Sequence, residues 1–379
     1  MNHKYTEIRQ HICVFVNVDW FVLSHFTHYL VALLKADYKV SLITSDTGRV
    51  KDLENLGINV VCLNNHRGFS NIFNEVKTFF SLLLILKKLN IDILELITIK
   101  PVVYGGLCSK ILRINKVVYY MSGLGSEFLN TSFFGNIKRF SIFLIYKYLM
   151  KSLSSRIIVE NKDDYKLFYK DIAYKYNNIK LVSGVGVDLS KFYPSKMNDE
   201  KILKVAVVSR LLKDKGIIEY FKAVKLLNKR FDNVIFLAAG SIDPTNSSSL
   251  SKLELNELEA DGAVNFISHV NDVASFLRTV DIFVLPSYRE GFPKAIMEAS
   301  ATGIPTVASN VTGCRDAVIN NKTGILVAPK DFNSLANSLS LLIESHKLRS
   351  AYGAAARVHA IENFDVKKIT DNHISFLIN

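Results

Sequence analysis

Short, largely apolar runs alternate along this chain with stretches of helical period. In the first half the runs fall near residues 11–16, 39–44, 58–63, 92–97, 116–121 and 156–160. In the second they fall near 203–208, 234–239, 264–267, 282–285, 305–308 and 325–327. Strands that are apolar on both faces belong in a sheet covered on both sides, and the intervening helices supply the crossovers of a parallel sheet. The pattern occurs twice, which predicts an α/β protein of two doubly wound, Rossmann-like domains facing across a cleft. The polar, proline-interrupted stretch Phe192-Tyr-Pro-Ser-Lys-Met-Asn-Asp-Glu200 reads as the linker. Expected domains are 1–195 and 196–364, with a last helix over 365–379 packing back on the first.

Composition narrows the classes. The 379 residues suffice for two ordinary domains, and 49% apolar residues exclude global disorder. The net charge of +12 favours an anionic partner. Residues 1–200 carry 26 basic against 17 acidic side chains and the remainder 21 against 18, so that partner is expected on the first half. Cys13, Cys62, Cys108 and Cys314 stand far apart with no C-x-x-C pair, which fits a reducing compartment and argues against a disulfide framework or a zinc site. The run His11–Val16 is too short for a signal peptide, and Phe79–Leu86 ends at Lys87-Lys88, short of a membrane span.

The segment Glu290-Gly-Phe-Pro-Lys-Ala-Ile-Met-Glu298 carries the strongest chemistry. It reads as a tight loop running into a helix. Pro293 suits the first helical turn, and Gly291 lets a ligand approach the backbone. The helix N-terminus offers free N–H groups and a positive dipole end to an anion. Phe292 to Glu298 covers roughly 9 Å of helix, about the span from one sugar across a diphosphate to another. The carboxylates could also merely complement the helix dipole, or form a two-carboxylate glycosidase pair. In Val205-Ala-Val-Val-Ser-Arg-Leu-Leu-Lys-Asp-Lys-Gly216, a strand meets a loop holding Ser209, Arg210 and Lys215. A guanidinium and an ammonium at a strand's carboxyl end make a phosphate grip; a solvated basic loop is the plain alternative. His269 and Val270, after another strand, could meet a base edge, or His269 could be a surface or capping residue. Asn246-Ser-Ser-Ser-Leu-Ser251 reads as a polar surface loop.

Residues 203–364 resemble the nucleotide-sugar-binding domain of the family 4 retaining glycosyltransferases, which have the GT-B architecture. The matching pieces, in order, are Ser209-Arg210, Lys215-Gly216, Pro286-Ser287, Glu290-Gly291, Glu298-Ala299, Gly303-Ile-Pro305, Gly313 and Thr323-Gly324. The resemblance implies that Arg210 and Lys215 bind the donor diphosphate and stabilise the leaving group. It implies that Glu298 holds the ribose and that Glu290 meets the transferred sugar. Gly291, Phe292 and Pro293 would line the pocket. Fixed positive charge where negative charge develops is what diphosphate departure needs. No D-x-D triplet occurs in the chain, so no metal and no cofactor is expected.

The first half departs from many relatives. Its first loop, Asn17–Phe26, has no glycine, and Ser122 stands where relatives carry a histidine. The pattern around Lys100-Pro101 and Gly123-Leu-Gly125 resembles bacterial transferases that extend lipid-diphosphate-linked sugars. Ser24, His25, Lys100, Ser122, Gly123, Gly125 and Glu127 are the candidate acceptor-side residues, placed on loops facing the cleft. Two basic, aromatic helix candidates, 69–88 and 132–151, bear on the partner. The first reads as a cover for the sheet. The second, with Phe133, Phe134, Lys138, Arg139, Lys147 and Lys151, reads either as sheet cover or as contact with an anionic membrane.

The expected activity is retaining transfer of a sugar, an N-acetylhexosamine such as GalNAc, from a UDP-sugar donor. The expected acceptor is a polyprenyl-diphosphate-linked saccharide at the cytoplasmic face of the cell membrane, as in O-antigen or capsule synthesis. The alternative is an isomerase of the same architecture, a UDP-GlcNAc 2-epimerase. Nucleic acid is not an expected partner, because no recognised binding module is apparent.

Overall fold

The computed structural model describes residues 9–64, 71–124, 133–152, 154–173, 178–195 and 202–378, without the side chains of 133–138. The chain forms two compact units, Met1–Val185 with Thr370–Asn379, and Gly186–Ile369.

The first unit has seven parallel strands, β1 (His11–Val18), β2 (Lys39–Ser45), β3 (Asn59–Cys62), β4 (Ile93–Ile97), β5 (Lys116–Met121), β6 (Ser155–Val159) and β7 (Ile179–Leu181), in the order β3-β2-β1-β4-β5-β6-β7. Its helices are α1 (Asp19–His25), α2 (Thr27–Lys35), α3 (Val50–Glu54), α4 (Ile72–Leu89), α5 (Ile99–Leu112), α6 (Phe133–Met150) and α7 (Lys162–Phe168). Alternate residues of β1 face two cores. Cys13 and Phe15 join Leu82 and Leu86 of α4 and Tyr146 and Leu149 of α6. Val14 and Val16 join Leu30 and Leu33 of α2.

The second unit has six parallel strands, β8 (Leu203–Val208), β9 (Val234–Ala239), β10 (Asn265–Ile267), β11 (Ile282–Leu285), β12 (Thr306–Ser309) and β13 (Gly324–Val327), in the order β10-β9-β8-β11-β12-β13. Helices α8 (Ile217–Leu227), α9 (Lys252–Asp261), α10 (Val273–Leu277), α11 (Lys294–Ala301), α12 (Cys314–Ala317), α13 (Phe332–Glu344) and α14 (His346–Asn363) complete it. Phe192, from the stretch expected to link the halves, is buried in this unit, and its carbonyl accepts from Arg357 at 2.9 Å.

The last helix, α15 (Val366–Ile378), begins in the second unit and ends in the first. Its buried His373 stacks on Tyr29 at 4.1 Å between ring centroids, and its Nε2 lies 2.6 Å from Oε1 of Glu95. The Tyr29 hydroxyl donates to the other oxygen of Glu95. Glu95 is fully buried on the central strand β4. A carboxylate there is tolerable only with such partners, because an unpaired buried charge is costly.

Candidate active site

In each sheet the strand order reverses direction once, and open α/β sheets bind ligands at that point, outside the carboxyl ends of the strands. In the second unit the reversal falls between β8 and β11. The residues following those two strands are Ser209-Arg210 and Pro286-Ser287.

The Ser209–Gly216 loop is held from the side. Leu211 N donates to the Ser241 carbonyl, Lys213 N to Ser248 O, and Leu250 N to Leu211 O. Asp214 N also donates to the Ser248 hydroxyl at 2.9 Å. The stretch 246–251 is therefore no passive surface loop. It clasps the basic loop, and Ser251 caps α9 in a reciprocal box with Glu254. Gly240, at φ +150°, lets this second loop pass Ser209; a Cβ there would meet the Ser209 carbonyl oxygen at 1.8 Å. Asp243 belongs to the same loop. Its Oδ2 lies 2.6 Å from Nη1 of Arg210, while its Oδ1 accepts from Thr245 N and Oγ1. Asp243 went unread in the sequence, although an Asp two residues before a Thr after a strand-ending glycine is an Asx-turn signal.

Lys215 closes a 3-10 turn, Lys213–Lys215, that ends on Gly216 in the left-handed conformation. A Cβ on Gly216 would meet the Pro286 carbonyl oxygen at 2.1 Å, so glycine lets the basic loop lie against the end of β11. Nζ of Lys215 then reaches Oε1 of Glu290 at 2.6 Å, and the buried Ser287 donates to the same oxygen at 2.7 Å. The next turn presses on this corner. Glu290 N donates to the Thr312 carbonyl, and a Cβ on Gly313 would meet the carbonyl oxygens of Gly291 and Glu290 at 2.5 and 2.8 Å. The thiol of buried Cys314 is pushed well above its usual range by burial and by the nearby Glu290. Tyr288 fastens the loop from below, its hydroxyl donating to Glu219 at 2.8 Å and its N–H to the Asp214 carbonyl.

Pro293 stands one residue earlier than expected. It precedes α11 in an extended conformation, and the helix begins at Lys294. Glu298 is buried one turn in, with Nζ of Lys294 at 3.2 Å. Arg210, Lys215 and Lys294 therefore each pair with a carboxylate within this one unit. Their side chains stay 35%, 21% and 30% exposed, so each cation keeps a face open to an anion. Phe292 stacks edge-on against Phe364 at 5.6 Å. His269 and Val270 follow the edge strand β10, with His269 exposed.

The first unit differs from expectation in its loops. Its reversal point lies between β1 and β4. The stretch after β1 is helix from Asp19 onward, so Ser24 and His25 sit in the last turn of α1, Ser24 Oγ lying 2.5 Å from Nδ1 of His25. Asp19 anchors this stretch. Fully buried, it accepts from the N–H groups of Trp20, Thr47 and Arg49 and from the Thr47 hydroxyl, tying the loop after β2 to the start of α1. Burial alone would raise its carboxyl; the hydrogen bonds outweigh that and hold it below the usual range.

The stretch after β4 is also helical, a correction to the expected loop. Pro101 is tolerated in the first turn of α5, and Gly105 and Gly106 are there because Cβ atoms would meet Leu96 at 2.2 Å and Leu149 at 2.8 Å. Lys100 is buried, its Nζ 2.9 Å from Oε2 of Glu75, which also accepts from the Tyr104 hydroxyl at 2.6 Å. Its charge is committed within the fold. Thr98, just before α5, holds φ 77° and ψ 166°, a region costly for any residue but glycine. Ser122 and Gly123 follow β5, and Gly125 and Glu127 lie outside the described residues. Among the described residues no three His, Cys, Asp or Glu side chains group as metal ligands.

Two doubly wound parallel sheets, one with basic side chains and a helix N-terminus at its reversal point, make up the GT-B architecture. Comparison with known proteins places the chain further. The model described as "Glycosyl transferases group 1" matches residues 191–359, and that described as "Glycosyl transferase 4-like" matches 11–161. An N,N'-diacetylbacillosaminyl-diphospho-undecaprenol alpha-1,3-N-acetylgalactosaminyltransferase of Campylobacter jejuni is 32% identical over 338 residues, 85% of this chain and 87% of its own. A UDP-Gal:alpha-D-GlcNAc-diphosphoundecaprenol alpha-1,3-galactosyltransferase of Escherichia coli is 26% identical over 361 residues, 90% of each chain. Among solved structures, a sucrose-phosphate synthase of Thermosynechococcus elongatus superposes with TM-score 0.77 at 20% identity, covering 97% of this chain and 98% of its own. The chain belongs to the group 1, family-4-like glycosyltransferases, and it is a glycosyltransferase.

Proposed function

We propose that this glycosyltransferase moves an N-acetylhexosamine, GalNAc being the first candidate, from a UDP-sugar to a polyprenyl-diphosphate-linked saccharide with retention of configuration. The step belongs to surface polysaccharide assembly, at the inner face of the cell membrane. The observation that carries the reading is the Campylobacter relative, whose name gives a lipid-diphosphate acceptor and GalNAc transfer and whose likeness spans both units. The Escherichia coli relative supports the same acceptor class with another sugar.

Arg210, Lys215 and the N-terminus of α11 face the donor diphosphate in this reading. Their fixed positive charge stabilises the leaving UDP as the glycosidic C1–O bond breaks, without a metal. Lys215 then bridges diphosphate and Glu290, which places the Glu290 carboxylate against the transferred sugar. Glu298 binds the ribose hydroxyls. The acceptor hydroxyl attacks from the face the diphosphate leaves, and a departing phosphate oxygen takes its proton. His269 and Val270 would meet the base edge in this reading. Ser122 and Gly123 remain acceptor-side candidates in the first unit.

The test is a panel of UDP-sugars assayed against synthetic lipid-diphosphate sugars, with the product's anomeric configuration read by NMR. Transfer of GalNAc with an α linkage is expected. Conversion of UDP-GlcNAc without any acceptor would replace this reading with the epimerase.

A further inference from the structure

Helix α4 has two apolar sides, and its role as sheet cover explains only one. Thr78, Leu82 and Leu86 point into the core. On the other side Phe73, Val76, Phe80 and Leu84 are 79%, 49%, 57% and 59% exposed. Steps of three and four residues put these four on one stripe. The sequence expectation that α4 merely covers the sheet is therefore incomplete. Helix α6 repeats the arrangement. Tyr146, Leu149 and Met150 are buried, while Phe140, Leu144 and Tyr148, at steps of four, are 65%, 49% and 66% exposed. Both helices pack against α5 and share one core on one face of the first sheet. Exposed stripes of this size on two helices that both pack on α5 mark an interaction surface.

Charge selects the partner. Among all the residues of α4, α5 and α6 there is one acid, Glu75; Lys100 neutralises it and the Tyr104 hydroxyl donates to it. The exposed cations Lys77, Lys87 and Lys88 on α4 and Lys147 on α6 flank the stripes. A second copy of this chain would set lysine against lysine. An anionic bilayer satisfies both features at once, because it takes apolar side chains at the acyl boundary and lysines at the phosphates. No described helix is long and apolar enough to cross a membrane, so the contact would be interfacial. We infer that the outer faces of α4 and α6 are the surface by which this enzyme docks on an anionic phospholipid bilayer, with Phe73, Phe80 and Leu84 of α4 as its main apolar anchors. The inference rests on the membrane location proposed above and assigns it to a surface of the first unit.

The experiment is co-sedimentation of the full chain with phosphatidylcholine vesicles and with vesicles containing phosphatidylglycerol. The chain should bind the anionic vesicles and leave the zwitterionic ones largely free. The triple variant Phe73→Ser, Phe80→Ser, Leu84→Ser should lose at least about tenfold in vesicle partitioning. It should keep its thermal midpoint and its transfer rate on a short-chain, water-soluble lipid-diphosphate sugar. The charge reversal Lys77→Glu, Lys88→Glu, which touches no apolar contact, should weaken binding to anionic vesicles alone. If the unaltered chain binds no vesicle, the membrane location itself fails. If it binds and both variants bind equally well, the location stands and the assignment to α4 is overturned. Equal binding to both vesicle types, or a dimer that the triple variant disperses, overturns the anionic bilayer as the partner.

Discussion

Asp243 holds Arg210 by a single contact of 2.6 Å, and its other oxygen is fixed by Thr245. The pair is partly open to water, so its direct worth to stability is small, about 0–1 kcal/mol. Its value is orientation: a guanidinium with one edge anchored presents its remaining donors in a set plane. Asp243→Ala should raise the KM for the donor about tenfold, equivalent to about 1.4 kcal/mol, with kcat falling less. Asp243→Asn keeps an acceptor for Arg210 and should stay within about threefold. Steady-state kinetics with calorimetric UDP binding checks both. Equal values for the two variants would mean that Asp243 acts through charge and not through position.

Glu290 Oε1 is shared between Lys215 and Ser287. If Lys215 stabilises the leaving diphosphate, Lys215→Ala should lower kcat by about two to three orders of magnitude, as for other preorganised donors. Ser287→Ala removes one neutral donor and should cost about 1 kcal/mol, less than tenfold in rate. If, as proposed, the carboxylate meets the transferred sugar and not the nucleotide, Glu290→Ala should abolish most transfer while UDP still binds. Single-turnover transfer and UDP titration separate these outcomes.

Both sheets were legible because their strands are mostly apolar on both faces, and the expected runs lie within a residue or two of the observed strands. The exception is β7, Ile179-Lys-Leu181, an edge strand of three residues with one buried side chain, too short for any period to show. Proline and paired glycines made the stretch after β4 read as loop. Pro101 sits where no N–H is needed, and the glycines answer to Leu96 and Leu149, contacts that local sequence does not reveal. The donor side was readable because its residues follow strands in order. The clasp by 241–250 was not, since its bonds to 211–214 join segments thirty or more residues apart. Glu95 was hidden for the opposite reason: it is one polar residue in an apolar strand, and its partner His373 lies 278 residues away.

Gly216 and Gly262 have nearly the same φ, +73° and +71°, yet only Gly216 faces a backbone carbonyl. Alanine at Gly262, with nothing within 4 Å, should cost only the left-handed strain of about 1–2 kcal/mol. Alanine at Gly216 must also displace Pro286 O, and with it Ser287 and Glu290. It should destabilise more than Gly262→Ala in denaturant melts and reduce transfer at least tenfold. Equal destabilisation with full activity would show that the basic loop is not positioned by this contact.

Asp19 links the first unit's folding to pH. Its carboxyl is held below the usual value, so the folded state favours the ionised form. A group depressed in this way contributes stability above its unfolded pKa, about 3.9, and loses it as pH falls through the folded value. Asp19→Asn should therefore cost on the order of 2–3 kcal/mol at neutral pH, since charged acceptors hold several donors at once and an amide oxygen holds them less well. The gap between Asp19→Asn and the unaltered chain should be constant from pH 7 to about pH 5 and narrow below about pH 4. Urea melts across that range would read it directly. A gap that did not narrow in acid would assign the role of Asp19 to shape alone. The neutral-pH cost should come with a rise in acceptor KM at unchanged donor KM, because the residues it fastens, Thr47 to Arg49 and Trp20, all belong to the unit expected to hold the acceptor.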